Sequence, residues 1–330
     1  MFAKRLKRRR PQRFTRKKRG FEPRLGLVLP CLLLFGSAGR AETLPRGPSS
    51  AYSLSDINAG HIISKALSDA YPGVVEGPIW EDDDWVLVVR GKKFFWAAGR
   101  LLDAEAKAEP DYLRRYRSYR FYDYPEELPP SPRQRQFGVS FSDEQPWQGW
   151  RTLGGFRGTR NMEFFQTLLD VRERSDMLER NVAKIRFLGH QAKVHQMIVP
   201  ALRRIDKTLQ QARSEDTELD RFLKSLRSAS AYVWRNIAGT KTLSLHSYGI
   251  AVDLIPKRWL GDPDWLWVKN KGLDWRDYPY EKRWQLPEIV IKTFEREGFI
   301  WGGKWYRFDT MHFEYHPELQ LLKPYFRSLE

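Results

Sequence analysis

Ser244-Leu245-His246-Ser247-Tyr248-Gly249-Ile250-Ala251-Val252-Asp253 is answered near the C-terminus by Gly298-Phe299-Ile300-Trp301-Gly302-Gly303-Lys304-Trp305-Tyr306-Arg307-Phe308-Asp309-Thr310-Met311-His312-Phe313-Glu314. The apolar run at 250–252 is short and follows a glycine, which favours a buried strand entered through a tight turn. Alternation in Met311-His312-Phe313-Glu314-Tyr315 sends His312 and Glu314 to one face of a second strand and Met311, Phe313 and Tyr315 to the other. Asp309 then falls at that strand's entry. The two strands predict an α+β core with a small antiparallel sheet flanked by helices.

These segments hold two histidines and several carboxylates. Zinc takes imidazole nitrogen and carboxylate oxygen, and a catalytic site uses three protein ligands so that a water fills the fourth position. His246, Asp253 and His312 form such a set. Asp253 follows an apolar run, where an unpaired charge is costly, and this favours a ligand over a turn carboxylate. Zinc lowers the pKa of water and polarises a carbonyl, while a carboxylate moves the proton. Asp309 is the candidate base. Arg235, upstream, is the candidate cation for a developing oxyanion.

The pattern Ser-x-His-x-x-Gly-x-Ala-x-Asp, carried by Ser244, His246, Gly249, Ala251 and Asp253, is followed by an acid-x-x-His carried by Asp309 and His312. Over roughly residues 187–318 the chain resembles the zinc D-Ala-D-Ala carboxypeptidases and dipeptidases and the L-alanyl-D-glutamate endopeptidases, a VanY-like family of cell-wall metallopeptidases. The resemblance implies a hedgehog-like core. It also implies zinc on His246, Asp253 and His312, Asp309 as general base, and peptidoglycan stem peptides as substrate. An Asp at the base position within Trp-Gly-Gly-x-Trp, here Trp301 to Trp305, leans towards the endopeptidase branch. The contrasting expectation is a cell-wall binding or scaffolding protein with a structural or silent metal site.

Other candidates carry less. His190 and His195 are five apart, not the four that would place them on one helical face, and read as packing residues. Glu314 and His316 support the site at most. Gly302-Gly303 lacks the Lys-Ser/Thr of a phosphate loop, and Trp301 and Trp305 read as core or substrate wall. Asp82-Asp83-Asp84 reads as a solvated turn.

Outward from the core, the chain has 330 residues, 41% hydrophobic and 14% aromatic, ample for two folded parts. Residues 42–160 read as a β-rich region of unassigned role, with a hairpin from Trp85-Val86-Leu87-Val88-Val89 and Phe94-Phe95-Trp96-Ala97-Ala98 around Gly91. The proline-rich stretch Tyr124-Pro125-Glu126-Glu127-Leu128-Pro129-Pro130-Ser131-Pro132 reads as a linker. Residues 161–330 read as a helical segment followed by the zinc peptidase domain. In that segment Val194, Ile198, Leu202, Ile205 and Leu209 form one helical stripe, and Gly298 stops a final helix over 287–297.

The net charge of +16 suggests a nucleic-acid partner until its location is considered. Twelve Lys/Arg face a single acid, Glu22, within residues 1–24, whereas beyond residue 41 there are 44 basic and 40 acidic residues. The basic stretch precedes an apolar run, Leu25 to Phe35, broken by Pro30, and then small residues to Ala41. That order predicts a signal peptide over residues 1–41, an exported protein in the periplasm or cell envelope, and only a transient membrane association. An uncleaved N-terminal anchor is the other reading. The single cysteine, Cys31, lies in the apolar run, and Leu29-Pro30 before it is a poor lipid-attachment context. The mature chain then has no disulfide and no cysteine ligand.

Overall fold

The computed structural model describes residues 54–119, 121–122, 124–125, 152–153, 159–237 and 242–328. The expected signal peptide and most of the expected linker lie outside them. The described residues form one compact unit.

The unit mixes helices with small sheets, an α+β arrangement. Helix α1 (Leu54–Ala70) leads into a three-stranded antiparallel meander of β1 (Val75–Glu81), β2 (Asp84–Val89) and β3 (Lys92–Phe95). The expected hairpin is β2 and β3, with Arg90 and Gly91 both at positive φ in its turn. Asp82 and Asp83 turn the chain between β1 and β2. Asp84 is buried instead, accepting from the backbone of Trp85 and Ala97 and pairing with Lys107 at 3.2 Å.

Two departures from the sequence reading concern periodicity. The β-rich region opens with a 17-residue helix. Its buried face is Ile63, Ala66, Leu67 and Ala70, a helical spacing that rests half on alanines and so carries little hydrophobic contrast. The segment 161–230 is not helical throughout. After α2 (Glu163–Leu169) it contains an antiparallel hairpin of β4 (Val182–Phe187) and β5 (His190–His195), and only then α3 (Val199–Ala212) and α4 (Thr217–Ser225). Val194 belongs to β5, while Leu202, Ile205 and Leu209 are the buried stripe of α3. A step of four residues is two strand repeats as well as about one helical turn, so Val194 and Ile198 satisfy both patterns.

The sheet that carries the candidate site has four antiparallel strands in the order β6 (Leu226–Ser230), β7 (Ala251–Pro256), β9 (His312–Tyr315), β8 (Phe299–Trp301). Helix α5 (Trp265–Asn270) lies in the connection after β7, and α6 (Glu288–Arg296) precedes β8. Val290, Ile291 and Phe294 of α6 are buried, with Phe294 stacked on Phe313 of β9 at 4.0 Å between ring centroids. Burying one such ring stabilises the fold by about 1.5–3 kcal/mol. Gly298, at φ +88°, ends α6 and starts β8 as its sequence position suggested. Helix α7 (Pro317–Arg327) follows β9 directly and packs on α1, so the N-terminal region is built against the sheet's last element. No helix among the described residues is long and apolar enough to cross a membrane.

Candidate metal centre

The register of β7 against β9 decides the site. Asp253 stands directly opposite His312, with Val252 opposite Phe313 and Ala251 opposite Glu314. Strand alternation sends Val252, Leu254 and Phe313 to the core face and puts Asp253 and His312 together on the other. His312 Nδ1 lies 2.8 Å from Asp253 Oδ1.

His246 arrives from a 3₁₀ turn, Leu245–Tyr248. Ser244 caps that turn, and Gly249, at φ +66°, ends it. Beside it runs the segment after β6: Val233 donates to the His246 carbonyl, Ser244 N donates to the Arg235 carbonyl, and Ser247 Oγ does the same at 2.8 Å. The His246 ring is fixed by its Nδ1, 2.5 Å from the Ala231 carbonyl. A carbonyl can only accept, so Nδ1 carries the proton and Nε2 presents its lone pair. That Nε2 lies 3.1 Å from Asp253 Oδ2 and 3.2 Å from His312 Nδ1.

Gly249 is required twice over. Its φ is unfavourable for an L side chain, and a Cβ there would lie 2.6 Å from Met177 Cε and 2.7 Å from the His195 backbone nitrogen. His195 N in turn donates to the Gly249 carbonyl at 2.8 Å, so β5 is the floor of this turn. We expect Gly249→Ala to lower stability by at least about 2 kcal/mol, combining the left-handed penalty with overpacking. A urea melt checks this, and an unchanged midpoint contradicts it.

His246, Asp253 and His312 can each direct one donor atom so that all lie within 4.8 Å of one another, with both histidines buried. Tetrahedral zinc with bonds of about 2.0–2.1 Å separates its ligands by about 3.3 Å, close to the 2.8–3.2 Å found among these atoms. The remaining ring nitrogens are engaged by Ala231 O and by Glu314. Three donors converge on one point while their outer atoms are held, and this arrangement fits a metal ion.

Asp309 completes the group from the turn before β9. Its backbone N–H donates to the Gly302 carbonyl at 2.9 Å, and its main chain bridges to Asp264. A Cβ on Gly302 would lie 2.6 Å from the Asp309 carbonyl oxygen, and one on Gly303 would sit 2.2 Å from the buried Trp301 indole. Trp301 also donates its Nε1–H to the Thr310 carbonyl at 2.7 Å. The two glycines and the tryptophan therefore pin the loop that bears Asp309. Sequence alone offered no role for Gly302.

Asp309 Oδ1 is shut off from solvent and has no hydrogen-bond partner among the described residues. Burial raises the Asp309 pKa, and the negative charges of Asp253, Asp264 and Glu314 raise it further against the pull of His312, to about 7. Burial also acts to raise Asp253, but the neighbouring imidazoles of His246 and His312 outweigh it and hold that carboxyl well below the usual range. The site thus sets apart one permanently ionised carboxylate and one poised near neutrality, the separation expected when one binds and the other moves a proton.

Beyond His312, burial opposes the charge on His316, but Glu318 and Glu314 overcome it and push its pKa up to about 10. Burial likewise works against ionised Glu314, and His312 and His316 bring it down to about 2. Trp305 lies with its ring 5.4 Å from that of His312 and forms one wall. Arg235 is exposed, its main chain tied to the His246 turn as described above. His190 and His195 take no part in the metal set: both lie on β5, and buried His195 bonds Leu169 O through Nε2 and caps Met197 N through Nδ1.

A family model described as D-alanyl-D-alanine carboxypeptidase matches residues 238–315. That span contains His246, Asp253, Asp309 and His312 and begins just after Arg235. Residues 238–315 are thus similar in sequence to a peptidase family. A second family model, described as a domain of unknown function, matches residues 64–121, which run from within α1 past the β1–β3 meander. No curated protein and no solved structure matches the chain.

Proposed function

We propose that this protein is a zinc peptidase that hydrolyses the peptide stems of bacterial peptidoglycan outside the cytoplasm. The observation that carries the reading is the convergence of His246 Nε2, Asp253 and His312 Nδ1 beside a half-buried Asp309 whose Oδ1 has no hydrogen-bond partner among the described residues. His246, Asp253 and His312 would hold a zinc ion, which would supply Lewis acidity for the scissile carbonyl and for the attacking water.

The chain's own residues do the rest. The Asp309 carboxyl, with a pKa near 7, accepts the proton of the attacking water and delivers it to the leaving amine. Asp253 stays ionised throughout and holds both imidazoles in place. Arg235, exposed and tied by its backbone to the His246 turn, is the cation we assign to the oxyanion that develops in the transition state. Trp305 stands beside His312.

An aspartate base at position 309, shortly after Trp301-Gly302-Gly303-Lys304-Trp305, favours the L-alanyl-D-glutamate bond over the terminal D-Ala-D-Ala bond. The basic-then-apolar N-terminus suits delivery to the periplasm or cell envelope, where that substrate lies. Digestion of defined muropeptides, with products identified by mass, tests the reading. The wild-type protein is expected to release one set of fragments that neither His312→Ala nor Asp309→Ala produces. Identical product profiles for all three proteins would sink it and leave a cell-wall binding protein with a silent site.

A further inference from the structure

The strand that brings His312 into the site continues as a line of bonded side chains that leaves the peptidase-type segment. His312 Nε2 lies 3.0 Å from Glu314 Oε1. Glu314 Oε2 lies 3.5 Å from His316 Nε2. His316 Nδ1 lies 2.7 Å from Glu318 Oε1, and the Tyr71 hydroxyl donates to Glu318 Oε2 at 2.7 Å. Strand alternation supplies His312 and Glu314 from one face, His316 follows between the strand and α7, and the first turn of α7 supplies Glu318. Tyr71 comes from just past the end of α1, within the region matched by the domain of unknown function. Tyr71 and Glu318 are both buried, at 6% and 7% exposure, so neither exchanges its partner for water.

Each carboxylate in this line has both oxygens committed to different partners. Glu314 is hydrogen-bonded to His312 and ion-paired with His316, and Glu318 is hydrogen-bonded to both His316 and Tyr71. A carboxylate held at one oxygen can rotate about its last bond, whereas one held at both cannot. The orientation of Glu314, which sets which nitrogen of His312 carries a proton, therefore depends on a hydroxyl from the far end of the chain.

We infer that Tyr71 and Glu318 are positioning residues for the metal ligand His312, acting through His316 and Glu314, so that the N-terminal region is a working part of the metal centre. This rests on the reading of His246, Asp253 and His312 as metal ligands. Removing a group that orients a ligating histidine weakens metal binding by about 10–100-fold, and Glu314→Gln is expected to fall there. Glu318→Gln and Tyr71→Phe act further along the line, and each is expected to weaken zinc binding by about 3–10-fold, at or below the low end of that range.

The test uses the full chain stripped of metal, with zinc affinity read by competition against a chromophoric chelator and ligand geometry by the visible spectrum of the Co²⁺ form. Leu67→Ala, a buried α1 change outside the line, is the control for packing alone. Tyr71→Phe and Glu318→Gln should weaken zinc binding and shift the Co²⁺ bands with little change in melting temperature. Leu67→Ala should lower the melting temperature and leave affinity unchanged. The double variant Tyr71→Phe/Glu318→Gln should be no weaker than the weaker single, since both cut one line. Wild-type affinity in Tyr71→Phe and Glu318→Gln, or an equal loss in Leu67→Ala, overturns the positioning role while the metal site stands. If His312→Ala also binds zinc as the wild type does, the metal reading falls and this inference falls with it.

Discussion

Asp309→Ala is expected to reduce kcat on a cleavable muropeptide by about 10²–10⁴-fold, the range of general acid–base catalysis, while the purified protein keeps one zinc per chain. The two halves of that result follow from different atoms. Asp309 Oδ1 has no partner to release, and Asp309 is not among the three residues whose donor atoms converge. Its removal therefore takes away a proton acceptor and leaves the metal set whole. His312→Ala should do the reverse in kind, losing zinc first and activity as a consequence. Elemental analysis beside initial rates separates the two. Loss of zinc from Asp309→Ala would move Asp309 into the ligand set, and an undiminished rate would remove it from the chemistry.

The parts of this site that could be read from sequence are those set by local spacing. The apolar run at 250–252, the glycine before it and the alternation at 311–315 are short-range patterns, and each states what its own strand must do. They do not state register. That Asp253 faces His312 rather than a neighbour is fixed by the pairing of β7 with β9, a contact between chain segments far apart in sequence. The same limit hid the line from His312 to Tyr71, whose ends are separated by most of the folded unit. Gly302 was opaque for another reason: its role is to leave room for the Asp309 carbonyl, and absence of a side chain leaves no chemical signature. The β4–β5 hairpin was missed because the step of four shared by strand and helix disguised Val194 as helical.

Metal-free Asp309→Asn is expected to be more stable than the metal-free wild type at pH 8 and no more stable at pH 4. The sign follows from which state holds the proton. The Asp309 carboxyl titrates near 7 in the folded chain but near 3.9 when unfolded. Between those values the folded state binds a proton that the unfolded state does not, so stability falls as pH rises and the loss is complete above about pH 7. A shift of that size corresponds to on the order of 2–4 kcal/mol. Asn keeps the shape, carries no charge and escapes the loss. Other groups in the centre tilt the absolute curve: the depressed Asp253 contributes stability that is lost as pH falls, and the raised His316 contributes stability that is lost as pH climbs towards about 10. Both are present in wild type and variant, so the difference between their urea midpoints in EDTA isolates Asp309. A difference that does not change between pH 4 and pH 8 would mean that the buried carboxyl titrates normally, and the assignment of Asp309 as a base poised near neutrality would fail.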